Sequence, residues 1–183
     1  SSAPAAISTR ARVRDSRRRR ELIGRPSRLA AEEVTLAAPG FEVFFAERQK
    51  VELFPDAREV LPKLAARFAL VAVSNGNADI GRVGIAEHFV GHVSAHEAGC
   101  AKPDPAIFHM AARVAGVDPG DILHVGDDAE LDVAGAHGAG MQVVWVNRAG
   151  HVLPEDVGAP HAEVRDLRAL AERLGLHVKG AAS

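Results

Sequence analysis

Cysteine is nearly absent from this chain: Cys100 stands alone among 183 residues. One thiol cannot close an internal disulfide, so a cross-linked secreted scaffold is excluded and a reducing, cytoplasmic setting is expected. No histidine is arranged recognisably beside Cys100, which reads as a small packing residue. Long apolar runs are missing too. None reaches the ~18–20 residues that span a bilayer, and 21–28 offers no apolar core for a secretory signal. Neither sign of charge dominates: the formal net charge is −2, which gives no global pull toward nucleic acid or membrane. A dinucleotide fingerprint is also absent, and Gly138-Ala139-Gly140 is better read as a helix terminus. Lysine is scarce, with four in the chain, so the place of each is informative.

What is present suits one α/β domain with a small accessory piece, since 47% hydrophobic content can fill a core. Half of the eighteen arginines fall within 10–28. Residues 1–28, rich in Arg, Ser and Ala, read as a solvated tail that cannot bury enough apolar surface to order itself. The same composition is shared by transit peptides and by basic nucleic-acid-binding arms. The second of these would show as strongly salt-dependent binding lost on deleting the segment.

From residue 29 the pattern turns globular. Two helical pieces, 29–36 and 41–53, are separated by the breaker pair Pro39-Gly40. Phe41, Phe44, Phe45 and Val51 read as a packing face. Phe54-Pro55-Asp56 makes a turn with Asp56 as N-cap, and Leu61, Leu64, Ala65 and Phe68 follow at helical spacing around Pro62. Strands are expected at 69–73, 89–94, 122–125 and 141–146, and helices through 88, from Pro105 to Gly116, at 129–137 and at 167–174. Asp104 caps a helix with Pro105 at its first position, and Gly116 ends it. Alternation with short connections argues for a doubly wound parallel sheet.

Three motifs share one edge of that sheet. Ser74-Asn75-Gly76-Asn77 follows a strand, where a hydroxyl and backbone N–H groups can hold phosphate oxygens, although Ser-Asn-Gly is also ordinary turn chemistry. Lys102 precedes Pro103-Asp104-Pro105, a loop stiff enough to aim its ammonium inward. The third motif, Gly126-Asp127-Asp128 with Asp132, is much more specific. Carboxylates crowded at a strand's carboxyl end repel one another, and a divalent cation is the usual remedy.

In this order and spacing the motifs resemble the haloacid dehalogenase superfamily, over about residues 54–150. A looser match to a helical cap precedes them over 29–53. The resemblance implies a Mg²⁺-assisted phosphatase acting on a small phosphorylated metabolite. A carboxylate would attack phosphorus, and a second aspartate two residues later would serve as acid and base. It further implies that Ser74 and Asn75 bind phosphate, and that Lys102 stabilises nucleophile and transferring group. Asp127 and Asp128 would hold the metal, and Asp132 would orient Lys102 or the metal shell.

One departure is large. The family's first motif is a strand ending in Asp-x-Asp, and no two aspartates here stand two apart. Nucleophile and acid/base are both absent, and the chain reads as a catalytically silent member that is truncated or whose first ~30 residues replace the proper start. The sheet is accordingly expected to lack its central first strand, leaving 69–73 and 122–125 unpaired along one edge, with 54–183 as the α/β core. A hydrolytic dehalogenase, which needs no metal, is the nearest alternative, and the carboxylates Asp127 and Asp128 argue against it. A non-catalytic phosphate-binding protein is the other. Trp145 reads as core, Asn147-Arg148 as a strand end near the site, and the spacing of His92 and His96 as chance.

Overall fold

A computed structural model describes residues 6–9, 53–76, 80–81 and 83–178. Its strands are β1 (Ala6–Thr9), β2 (Ala69–Ser74), β3 (Gly91–Ser94), β4 (Ile122–Gly126), β5 (Gln142–Val146) and β6 (Ala162–Val164). They form one sheet in the order β3-β2-β1-β4-β5-β6, and every adjacent pair is parallel. This is the doubly wound arrangement that the alternation of elements predicts, with the order reversing beside β1.

The expected gap at the centre of the sheet is not there. Ile7 pairs with Leu70 on one side and Leu123 on the other, and Thr9 with Ala72 and Val125. Residues 1–28 read as a tail by composition, yet Ala6–Thr9 is drawn into the sheet. Arg10 and Arg12 would put charge inside a sheet that is apolar on both faces, but the strand ends at Thr9, before both. With β1 in place, β2 and β4 both gain the backbone partners they were expected to lose. The cap expected over 29–53 lies outside the described residues, apart from Leu53.

The two faces of the sheet follow from strand alternation. Val71, Val73, Ile122 and Val143 point to a face covered by the helices Pro105–Ala115 and Gly135–Gly138, where Ile107, Phe108, Ala111 and Ala136 are buried. Leu70, Leu123, Val125 and Val144 point to the other face. There the helices Pro55–Ala65 and Leu167–Arg173 supply Val60, Leu61, Leu64 and Leu170. The cap of Pro105–Ala115 is as expected: the Asp104 carboxylate accepts from the Ala106 N–H at 2.9 Å, and Gly116 closes the helix in the left-handed conformation.

Three local expectations are corrected. Asp56 does not cap its helix; Phe54 holds that position. Asp56 is instead a buried carboxylate that accepts from Arg148 Nη2 at 2.6 Å and from the Leu167 N–H at 2.8 Å. Arg148 is thereby committed to this tie and lies over the Phe54 ring. Between Gly76 and His88, the helix among the described residues is only the 3₁₀ turn Ala86–His88. The helix expected at 129–137 begins as a wider π-helical turn, Ala129–Ala134, before Gly135–Gly138 continues as α-helix.

Candidate active site

Parallel strands deliver their carboxyl ends to one edge, so the chain's three motifs converge there. Ser74 is the last residue of β2, and Asp127 and Asp128 follow β4 directly. β1, which ends at Thr9, lies between them. In the sequence the residues after Thr9 are Arg10-Ala11-Arg12, so no carboxylate directly follows the central strand.

Asp132 organises the site. It sits in the π-helical turn, and its side chain is fully buried and bonded back to β4 and the residues just after it. One carboxylate oxygen accepts from Lys102 Nζ at 2.5 Å and from His124 Nε2 at 3.2 Å. The other accepts from the N–H groups of Asp127 and Asp128 at 3.2 and 3.1 Å. Burial by itself would raise its pKa. The His124 hydrogen bond and the Lys102 charge outweigh that and hold the carboxyl well below the usual carboxylate range. Gly126 makes this fold-back possible: a Cβ there would lie 2.3 Å from Asp132 Cγ. Both side chains of the Lys102–Asp132 pair are wholly buried.

The remaining residues divide by geometry. Asn75 grips the peptide of Lys102: its Nδ2 donates to the Lys102 carbonyl at 2.8 Å, and its Oδ1 accepts from the Lys102 N–H at 2.7 Å. The amide thus fixes the lysine loop with one N–H and its carbonyl oxygen, and its second N–H is the side-chain donor that a phosphate could use. The Ser74 hydroxyl donates to the Gly76 carbonyl at 3.0 Å and has His92 Nε2 at 3.1 Å. One oxygen of Asp128 accepts from the N–H groups of Glu130 and Leu131 and so caps the turn that carries Asp132. Trp145 is core, as expected, and its indole donates to the Asp127 carbonyl at 3.2 Å. Asn147, directly after β5, bonds His151 and Glu163 and so closes its own loop.

Two histidines join the site that the sequence did not place there: His124, to which the motifs give no part, and His92, whose spacing from His96 reads as chance. His124 lies inside the apolar run of β4, fully buried, edge-on to Phe108 with ring centroids 5.0 Å apart. A histidine in the middle of an otherwise aliphatic strand was the available signal. His92 reaches Ser74 only through the pairing of β3 with β2, which sets Ser74 opposite Ser94 and His92 opposite Ala72. No spacing within either strand reveals that.

Mg²⁺ is the ion the motifs imply. Among the described residues no three His, Cys, Asp or Glu side chains form a metal cage, and both oxygens of Asp132 already accept hydrogen bonds. Mg²⁺ is, however, ordinarily held by one or two carboxylates together with phosphate oxygens and water. Asp127 and Asp128, adjacent at the end of β4, fit that lesser requirement.

The family model for haloacid dehalogenase-like hydrolases matches residues 4–140. The chain belongs to the haloacid dehalogenase-like hydrolases. The match begins ahead of β1 and runs through all three motifs. Phosphoserine phosphatase of Thermus thermophilus is 41% identical over 142 residues, covering 73% of this chain and 56% of the relative. The 5-amino-6-(5-phospho-D-ribitylamino)uracil phosphatase YigB of Escherichia coli is 34% identical over 146 residues, covering 78% and 61%. The solved structure of a 2-haloacid dehalogenase from Pseudomonas syringae pv. Tomato DC3000 superposes with a TM-score of 0.75 at 40% identity, covering 80% of this chain and 64% of that one. The chain thus spans less than two thirds of the length of each. No helix among the described residues is long and apolar enough to cross a membrane.

Proposed function

We propose that this chain carries a phosphatase-type site that binds a small phosphomonoester together with Mg²⁺ and does not hydrolyse it. The observation that carries the reading is the buried Lys102–Asp132 pair, set at the same sheet edge as Ser74, Asp127 and Asp128. No Asp-x-Asp follows β1.

Each residue then has a binding role. Ser74 Oγ and the backbone N–H groups of its turn meet phosphoryl oxygens, and Lys102, held at one point by Asp132 and Asn75, offsets their charge. Asp127 and Asp128 would hold Mg²⁺, whose charge removes the repulsion between these carboxylates and the phosphate. Ion and phosphate therefore bind each other's complex more tightly than the protein alone, by the same factor in both directions. A hydroxyl and an ammonium cannot replace the missing carboxylate nucleophile. A reducing cytoplasmic setting agrees with the single cysteine.

Calorimetric titration of inorganic phosphate with and without Mg²⁺, beside an aryl phosphate assay, tests this. Phosphate binding that strengthens with Mg²⁺, weakens in Asp127→Asn and occurs without turnover is expected. Mg²⁺-dependent turnover lost in Asp127→Asn would overturn the silence, and no phosphate binding under any condition would overturn the site. The 40% identity to a 2-haloacid dehalogenase favours a second reading. Halide release from a 2-chloroacid without metal would establish it; the paired carboxylates Asp127 and Asp128 weigh against it.

A further inference from the structure

We propose that His92 is a positioning residue that sets the direction of the Ser74 hydroxyl, and with it the grip of the site on a tetrahedral oxyanion. The inference rests on the phosphate reading above and extends it to a residue outside the three motifs. Ser74 Oγ carries one hydrogen and two lone pairs. With that hydrogen donated to the Gly76 carbonyl at 3.0 Å, His92 Nε2 at 3.1 Å takes the donor's part and gives its N–H to Oγ. The hydroxyl is thus held on both sides before any ligand arrives.

An oxyanion at this edge requires the Oγ–H to swing from Gly76 toward the ligand. The His92 bond survives that rotation, because it uses an oxygen lone pair and not the hydrogen. A donor on Oγ also polarises the hydroxyl and strengthens the bond it gives. His92 is well placed for this part. It stands on β3 opposite Ala72, and alternation puts it on the same face of the sheet as Ser74. Its backbone is fixed by strand pairing, so little freedom is lost when the ring is held. Without the imidazole, Oγ would be pinned at one point only, and an arriving phosphate would have to order it.

The test titrates inorganic phosphate, at a fixed excess of Mg²⁺, into the full chain and into His92→Leu, His92→Gln, Ser74→Ala and the double variant Ser74→Ala/His92→Leu. Removing a neutral hydrogen bond of this kind predicts a roughly three- to ten-fold loss of phosphate affinity in His92→Leu. Glutamine can donate from its side-chain amide and is expected to restore affinity to within about two-fold of the unmodified chain, the order of a hydrogen bond's own variation. Because His92 acts through Ser74, His92→Leu should have no further effect once Ser74 is alanine. Unchanged affinity in His92→Leu, or the same loss in the Ser74→Ala background, overturns the proposal. Should His92→Leu fail to fold, judged by its thermal midpoint, failure of His92→Gln to bind as well as the unmodified chain overturns it instead. Phosphate binding with His92 silent removes this inference alone. No phosphate binding by the unmodified chain removes the site reading and this inference together.

Discussion

Replacing Gly126 with alanine adds one methyl group where no space is open. Its Cβ would stand 2.3 Å from Asp132 Cγ, 2.4 Å from Cβ and 2.5 Å from Oδ2. The obstruction is not the free end of a flexible side chain. Asp132 is held by Lys102, His124 and two backbone N–H groups, and it sits in a turn capped by Asp128. Either the carboxylate leaves these partners or β4 shifts against β1 and β5. If the carboxylate moves, the fully buried Lys102 ammonium loses its ion pair with Asp132, and breaking such a buried pair costs about 3–5 kcal/mol. A domain of this size is stable by ~5–15 kcal/mol, so Gly126→Ala should remove a large part of the margin. Gly120→Ala is the control: a Cβ there meets nothing within 4 Å. It should be neutral or stabilise by up to ~1 kcal/mol, because it restricts the unfolded chain. Urea unfolding followed by Trp145, the single tryptophan and a buried one, reads both variants. Gly126→Ala within about 1 kcal/mol of the unmodified chain at equal m-value would refute the reasoning, since even one lost charge-assisted hydrogen bond exceeds that.

Asp132 also sets a pH window. Its native pKa is held below the usual range, so its contribution is complete above the unfolded value near ~3.9 and is lost as pH falls below it, by about 1.4 kcal/mol per unit. The stability difference between the unmodified chain and Asp132→Asn should therefore narrow below about pH 4; a constant difference down to pH 3 would contradict this. Asp56→Ala removes the acceptor shared by Arg148 and the Leu167 N–H. It should cost about 2–3 kcal/mol in urea unfolding, discounted because the arginine stays partly solvated; a loss under ~0.5 kcal/mol would mean the tie is not stabilising. Placing carboxylates directly after β1, in the double variant Arg10→Asp/Arg12→Asp, should raise Mg²⁺ affinity measured calorimetrically in the presence of phosphate. Unchanged affinity would mean the site does not extend to that segment.

Much of the fold was legible because it is local. The apolar runs beginning at 69, 122 and 141 each became strands within a residue or two. Asp104-Pro105 and Gly116 marked both ends of their helix through capping and backbone preference alone. The spacing from Gly126 to Asp132 was likewise enough to name the site, since a glycine, a strand end and a carboxylate one turn on are a local constellation. β1 was not legible. Ala6-Ile7-Ser8-Thr9 is short, and arginines crowd the sequence after it. What makes it a strand is the pair of unsatisfied edges that β2 and β4 offer on either side, and those edges lie more than fifty residues away along the chain. β6 and the Asp56–Arg148–Leu167 tie escaped for the same reason.

Which residue types stand at the ends of β2 and β4 is thus plain from the chain alone, as is the lack of any Asp-x-Asp. That Asp132 turns inward onto Lys102 and His124, that Asn75 holds the lysine loop, and that His92 meets Ser74 emerges only once the sheet is assembled. Strand and helix propensity depend on neighbours a few residues apart. A buried carboxylate finds its partners across the sheet, where register, burial and the absence of one Cβ at Gly126 fix which charges meet.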